Sequence, residues 1–112
     1  MSVGGDDAVQ SAHRARRRQA RQIVAEYHEQ QLGTLLGHVR EGLARLDRGE
    51  IDVFEVDELI ARYQRAARKL WAFCGSSGAD WERAADMLAF MRDNGETHDW
   101  WCRGPGSDRT LD

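Results

Sequence analysis

The stretch from Gly49 to Gly75 constrains the fold more tightly than any other part of the chain, because it carries the marks of a complete helix. Asp52 followed three residues later by Glu55 has the spacing of a capping box, in which each side chain can satisfy a backbone amide of the other. Apolar residues then recur at helical spacing: Val53, Val56, Leu59, Ile60, Tyr63, Ala67, Leu70, Trp71 and Cys74. Gly75 supplies the stop. The acids Glu50, Asp52, Glu55, Asp57 and Glu58 gather at the start and Arg62, Arg65, Arg68 and Lys69 at the end, as the helix dipole favours. Folding alone therefore accounts for these charges, and the stripe needs apolar partners.

The single proline, Pro105, leaves the rest of the chain free to form long helices. Upstream, Asp6 or Asp7 is a suitable N-cap for a helix from Ala8 to about Arg48. Its apolar seam, Leu32, Leu36, Val39, Leu43 and Leu46, steps 4, 3, 4, 3, and Ile23, Val24 and Tyr27 continue it at a shifted phase. Gly33, Gly37 and Gly42 each cost about 1 kcal/mol relative to Ala inside a helix, which makes a break near Gly33 the alternative to one continuous element. Gly33 and Gly37, four apart, share a face and admit either a close helix approach or no special role. The turn is Asp47 to Ile51, with Gly49 in the left-handed conformation. So short a loop predicts an antiparallel hairpin, with Glu55 and Glu58 near Arg45 and Arg40, and Arg68 and Lys69 near Glu29. Residues 8 to 22 then project past the hairpin unless something covers them.

Ser77 with Asp80 reads as the cap of a third helix over Ala79 to Asp93, ended by Asn94-Gly95 and presenting Trp81, Ala84, Ala85, Leu88 and Met91, widened by Met87 and Phe90. The expected architecture is all-α: a long antiparallel helical hairpin plus a third, shorter helix that closes its groove, with a dimeric helical bundle as the self-associated form. Residues 1–7 are expected to be a flexible N-terminus, 8–95 the helical domain, and 96–112 an aromatic segment with a loose Gly-Pro-Gly-Ser tail. Trp71, Phe73, Trp81, Phe90 and one of Trp100 or Trp101 are expected to cluster away from the turn. Adjacent tryptophans cannot both point inward, so one should pack and the other stay half exposed.

A chain of 112 residues has room for one modest core. Its net charge of -3 conceals a contrast: residues 1–21 hold five arginines against Asp6 and Asp7, giving +3, and the remainder is -6. Cys74 and Cys102 lack a CxxC spacing, and a small secreted scaffold usually carries more pairs, so reduced thiols in a cytoplasmic protein are expected, with a disulfide between the two as the alternative. No signal-peptide core and no apolar run of membrane-spanning length is present.

Arg14, Arg17, Arg18 and Arg21 fall on one side of a helix, where they can meet an acidic partner helix, a phosphate backbone or only solvent. The run from Asp47 fails as a calcium loop, since Gly49 and Ile51 stand where oxygen ligands are required. Glu96, His98, Asp99 and Cys102 are possible metal ligands without a second paired motif, and His28 and His38 lack the repeated Glu-x-x-His of bundle di-metal sites. The sequence contains no phosphate loop, nucleophile elbow or recognised Ser, His and Asp set. Tyr63, Trp71, Trp81 and Met87 read as core packing before they read as an apolar ligand site. No cofactor, membrane partner or small-molecule substrate is expected, and an enzyme is the least favoured class.

Gly49-Glu50-Ile51-Asp52-Val53-Phe54-Glu55-Val56-Asp57-Glu58-Leu59-Ile60, with Arg62-Tyr63 and Leu70-Trp71-Ala72-Phe73-Cys74, resembles a stretch in short uncharacterised helical proteins of actinobacteria, over about a quarter of the chain. That resemblance implies no activity and carries over no functional residue. The use of 15 arginines to one lysine fits a GC-rich genome. The leading expectation is a non-enzymatic helical protein–protein interaction module that self-associates. The alternative is a small nucleic-acid-associated regulator using the N-terminal arginine face, and Arg14, Arg17, Arg18, Arg21, Trp100 and Trp101 are the candidate binding residues.

Overall fold

The computed structural model describes residues 3–102, with side chains from Asp7 onward. Among the described residues, three helices, α1 (Val3–Asp47), α2 (Val53–Cys74) and α3 (Gly78–Asp93), make an all-α fold. The expected Gly-Pro-Gly-Ser tail and Met1–Ser2 lie outside the described residues.

The helix ends are built as the sequence predicts. Asp52 N donates to Glu55 Oε1 at 3.0 Å and Glu55 N to Asp52 Oδ1 at 2.9 Å, completing the capping box of α2. Ser77 Oγ accepts from Asp80 N at the start of α3. At the end of α1, Glu50 N donates to Arg45 O and Gly49 N to Leu46 O, the paired bonds of a Schellman turn, with Gly49 at φ 76°. The same pair closes α3, from Glu96 N to Met91 O and Gly95 N to Arg92 O. One start differs. Helix α1 begins at Val3, so Asp6 and Asp7 occupy helical positions instead of capping one, where their charge still suits the dipole of the first turns.

The helix α1 is unbroken through Gly33, Gly37 and Gly42. A side chain at Gly33 or Gly37 would meet nothing within 4 Å, so those two glycines admit no close neighbour. Gly42 is the close approach: a Cβ there would land on Leu59 Cδ1. Gly33→Ala is expected to raise stability by about 1 kcal/mol, read as a higher denaturant midpoint at unchanged slope. An unchanged or lower midpoint would mean that the helix is not continuous at that position.

The chain divides into two compact units. In the first, α1 as far as Tyr27 packs with Cys74–Glu96. Ala20, Val24, Cys74 and Ala84 are buried there, Arg17 Nε meets Glu82 Oε2 at 3.1 Å, and Arg21 lies over the Trp81 ring at 5.1 Å. Within this unit α3 thus packs on the N-terminal part of α1.

The second unit holds His28–Phe73 and the segment from Thr97 on. Here α1 and α2 form the hairpin, with Leu35, Gly42, Val56, Ala66 and Leu70 buried. The seam on α1 is rotated from the expected one. Leu32, Val39 and Leu46 stay half-buried beside Leu35, but Leu36 and Leu43 are exposed. On α2, Val56, Leu70 and Cys74 are buried as the stripe predicts, whereas Val53, Ile60 and Trp71 are exposed. Of the expected aromatic cluster, Trp81 and Phe90 belong to the first unit and Trp71, Phe73 and Trp100 to this one. Trp71 and Phe90 are exposed, and Phe73 packs on Trp100, with ring centroids 5.5 Å apart. The charge pairing is also local: Arg45 and Arg48 both reach Glu50, at 3.4 and 2.7 Å, and Glu55 serves the cap. The Arg48 and Arg45 guanidiniums hold the Glu50 carboxyl below its ordinary range.

Candidate interaction surface

The segment Thr97–Cys102 lies across one side of the hairpin. Trp100 is 3% exposed and tilts against Phe73 of α2 and His98. Trp101 is half-buried and clamped. His38 of α1 stacks on it at 4.3 Å with planes 8° apart, Arg62 Cζ of α2 sits 4.6 Å from its ring centroid, and Arg62 Nε donates to its carbonyl at 3.2 Å. Arg62 Nη2 also donates to Cys102 Sγ at 3.8 Å. The chain turns because Asp99 Oδ1 accepts from Trp101 N at 3.0 Å and Cys102 N at 3.3 Å. Burial raises the Asp99 carboxyl, but these donors and nearby His38 outweigh it and leave it below its ordinary value. A depressed carboxyl contributes stability above its unfolded pKa, and that contribution is lost as pH falls through the folded one.

One tryptophan thus packs and the other is half exposed, as the sequence predicts, and both are spent on the unit's own packing. The arginine face is divided. Arg17 and Arg21 contact Glu82 and Trp81 of α3, while Arg14 and Arg18 are exposed. The Arg17–Glu82 pair is half open to solvent and contributes at most about 1 kcal/mol. Tyr63 and Trp81 are half-buried, whereas Trp71 and Met87 are exposed and are not core residues. Among the described residues, no three His, Cys, Asp or Glu side chains converge as a metal site, and no helix is long and apolar enough to cross a membrane.

What the sequence reading missed is the opposite side of the hairpin. On α1 the packed line through Leu35, Gly42 and half-buried Leu46 is bordered on one edge by Gln31, Thr34 and His38, the edge that Trp101 covers. The other edge is Leu32, Leu36, Val39 and Leu43. On α2 the line Val56, Leu59, Tyr63, Ala66 and Leu70 is bordered by Arg62 and Phe73, again on the tryptophan side, and on the other edge by Val53, Ile60, Ala67 and Trp71. In an antiparallel pair these two uncovered edges lie on the same side. Leu36, Leu43, Val53, Ile60 and Trp71 are 38–60% exposed, so that side is an apolar surface left open. Its signal in the sequence is the width of the apolar arc: Leu32, Leu35, Leu36, Val39, Leu43 and Leu46 cover more of α1 than a single partner helix can bury.

Both thiols are free. Cys74 is buried, and burial pushes it up to about 11, while Cys102 is exposed. One equivalent of a maleimide is expected to label the native protein at pH 8, at Cys102, with a second taken up only on unfolding. Two equivalents in the native state would show that Cys74 is not enclosed. Comparison with protein-family models, with curated proteins and with solved structures finds no match for the chain.

Proposed function

We propose that this protein is a non-enzymatic helical protein–protein interaction module that self-associates through the uncovered apolar side of its α1–α2 hairpin. The observation that carries the reading is the alignment of Leu36, Leu43, Val53, Ile60 and Trp71 on one side, with half-buried Leu32, Val39 and Ala67 among them. Isolated exposed apolar residues are ordinary on a protein surface; a contiguous set along two helices is not. The strip from Val53 to Trp71 is about 27 Å long at the helical rise and that from Leu32 to Leu43 about 17 Å, and the two about 10 Å apart offer a face toward the smaller end of specific interfaces.

Sedimentation velocity across a concentration series tests the reading. A dimer that Ile60→Asp or Leu36→Asp returns to monomer, with helical circular dichroism retained, is the expected result. A clean monomer at high concentration would sink it. The arginine face has less support as a nucleic-acid site, because Arg17 and Arg21 already hold α3. Duplex binding that weakens with salt and disappears in Arg14→Ala with Arg18→Ala would transfer the assignment to that face.

A further inference from the structure

The uncovered edge of α2 is itself a heptad seam. Val53, Asp57, Ile60, Gln64, Ala67 and Trp71 step 4, 3, 4, 3, 4 along the helix, separately from the line that packs on α1. The seam is symmetric about the level of Arg62: Val53 and Trp71, Asp57 and Ala67, and Ile60 and Gln64 lie at equal distances on either side. The α1 edge is nearly centred as well: Leu36 and Leu43 lie three and four residues on either side of Val39. These two centres coincide. Gly42 abuts Leu59, and three residues from that contact along each antiparallel helix lie Val39 on α1 and Arg62 on α2, at one level.

We infer that a second copy covers this side through a two-fold axis crossing the hairpin at that level, with α1 antiparallel to α1 and α2 antiparallel to α2 across the contact. The inference rests on the self-association proposed above and adds its geometry. Val53 faces the partner's Trp71, Leu36 faces the partner's Leu43, and Val39 meets its own copy at the axis. An isologous contact requires a surface complementary to itself, and both edges meet that requirement at the same level.

Charge selects the direction. Asp57, on the outer rim of the seam, and Arg68 beside it are exposed on the same flank, with Glu58 and Arg65 further out. An antiparallel partner sets Asp57 beside Arg68 and Glu58 beside Arg65, twice each by symmetry. A parallel partner sets Asp57 against Asp57 and Arg68 against Arg68. The graded charge that suits the dipole of α2 therefore also fits an inverted copy of the same helix.

The test uses Asp57→Arg and Arg68→Asp, two exposed sites whose replacement leaves the buried core untouched. Each variant alone is expected to raise the dimer dissociation constant about tenfold, since two repulsive pairs replace two attractive ones. An equimolar mixture should recover dimer of wild-type affinity, because each variant supplies the charges that the other now needs. Circular dichroism and melting at a dilution where only monomer is present check the fold of each. If the wild-type protein dimerises but neither variant weakens it, or the mixture recovers nothing, the inverted arrangement is wrong and self-association stands. If the wild-type protein stays monomeric at all concentrations, both fall.

Discussion

Trp100→Ala is expected to cost about 3–5 kcal/mol of folding stability, the range for removing a large aromatic from a packed site. Trp100 is buried against Phe73 and His98 and is the most enclosed side chain of Thr97–Cys102. Its neighbour gives the contrast. Trp101→Ala removes an Arg62 cation–π contact and a His38 stack on a half-buried ring, worth about 1 kcal/mol or somewhat more. Denaturant midpoints at constant slope decide between them. A Trp100→Ala loss below about 1 kcal/mol would mean that the segment does not pack on the hairpin.

Leu70→Ala is expected to cost about 2–5 kcal/mol, because Leu70 is fully enclosed and its truncation leaves a cavity in the hairpin. Trp71→Ala, one residue along, is expected to change monomer stability by no more than about 0.5 kcal/mol despite removing a far larger side chain. The difference lies in their faces: Leu70 is 0% exposed and Trp71 is 59% exposed. Measured at a dilution where the monomer prevails, the pair fixes the phase of α2. Equal losses would place Trp71 in the monomer core and remove it from the open side.

Much of this fold is legible in local chemistry. The capping box at Asp52 and Glu55, the cap at Ser77 and the left-handed glycines Gly49 and Gly95 act within a few residues of themselves, so the sequence states them directly. The phase of α1 is not local. Both Leu35 and Leu36 continue a plausible seam, and the choice between them is made by Gly42, whose missing side chain lets Leu59 approach. A glycine four residues from another invites attention to Gly33 and Gly37, yet only packing against α2 reveals which glycine is pressed. The arginines illustrate the same limit. Their spacing puts four on one side of α1, but only the position of α3 assigns Arg17 to Glu82 and Arg21 to Trp81. The candidate surface was least legible, because its residues carry the same apolar signature as the core and differ only in what covers them.

The four tryptophans occupy four distinct surroundings: Trp100 buried beside Phe73, Trp101 between an imidazole and a guanidinium, Trp81 beneath Arg21, and Trp71 in the open. Intrinsic fluorescence is therefore a site-resolved signal in this chain. Trp71 is the indole on the open apolar side, so acrylamide should quench it readily in dilute solution. A shift of emission to shorter wavelength as concentration rises, absent in Trp71→Phe, would report the enclosure of that side without any attached label.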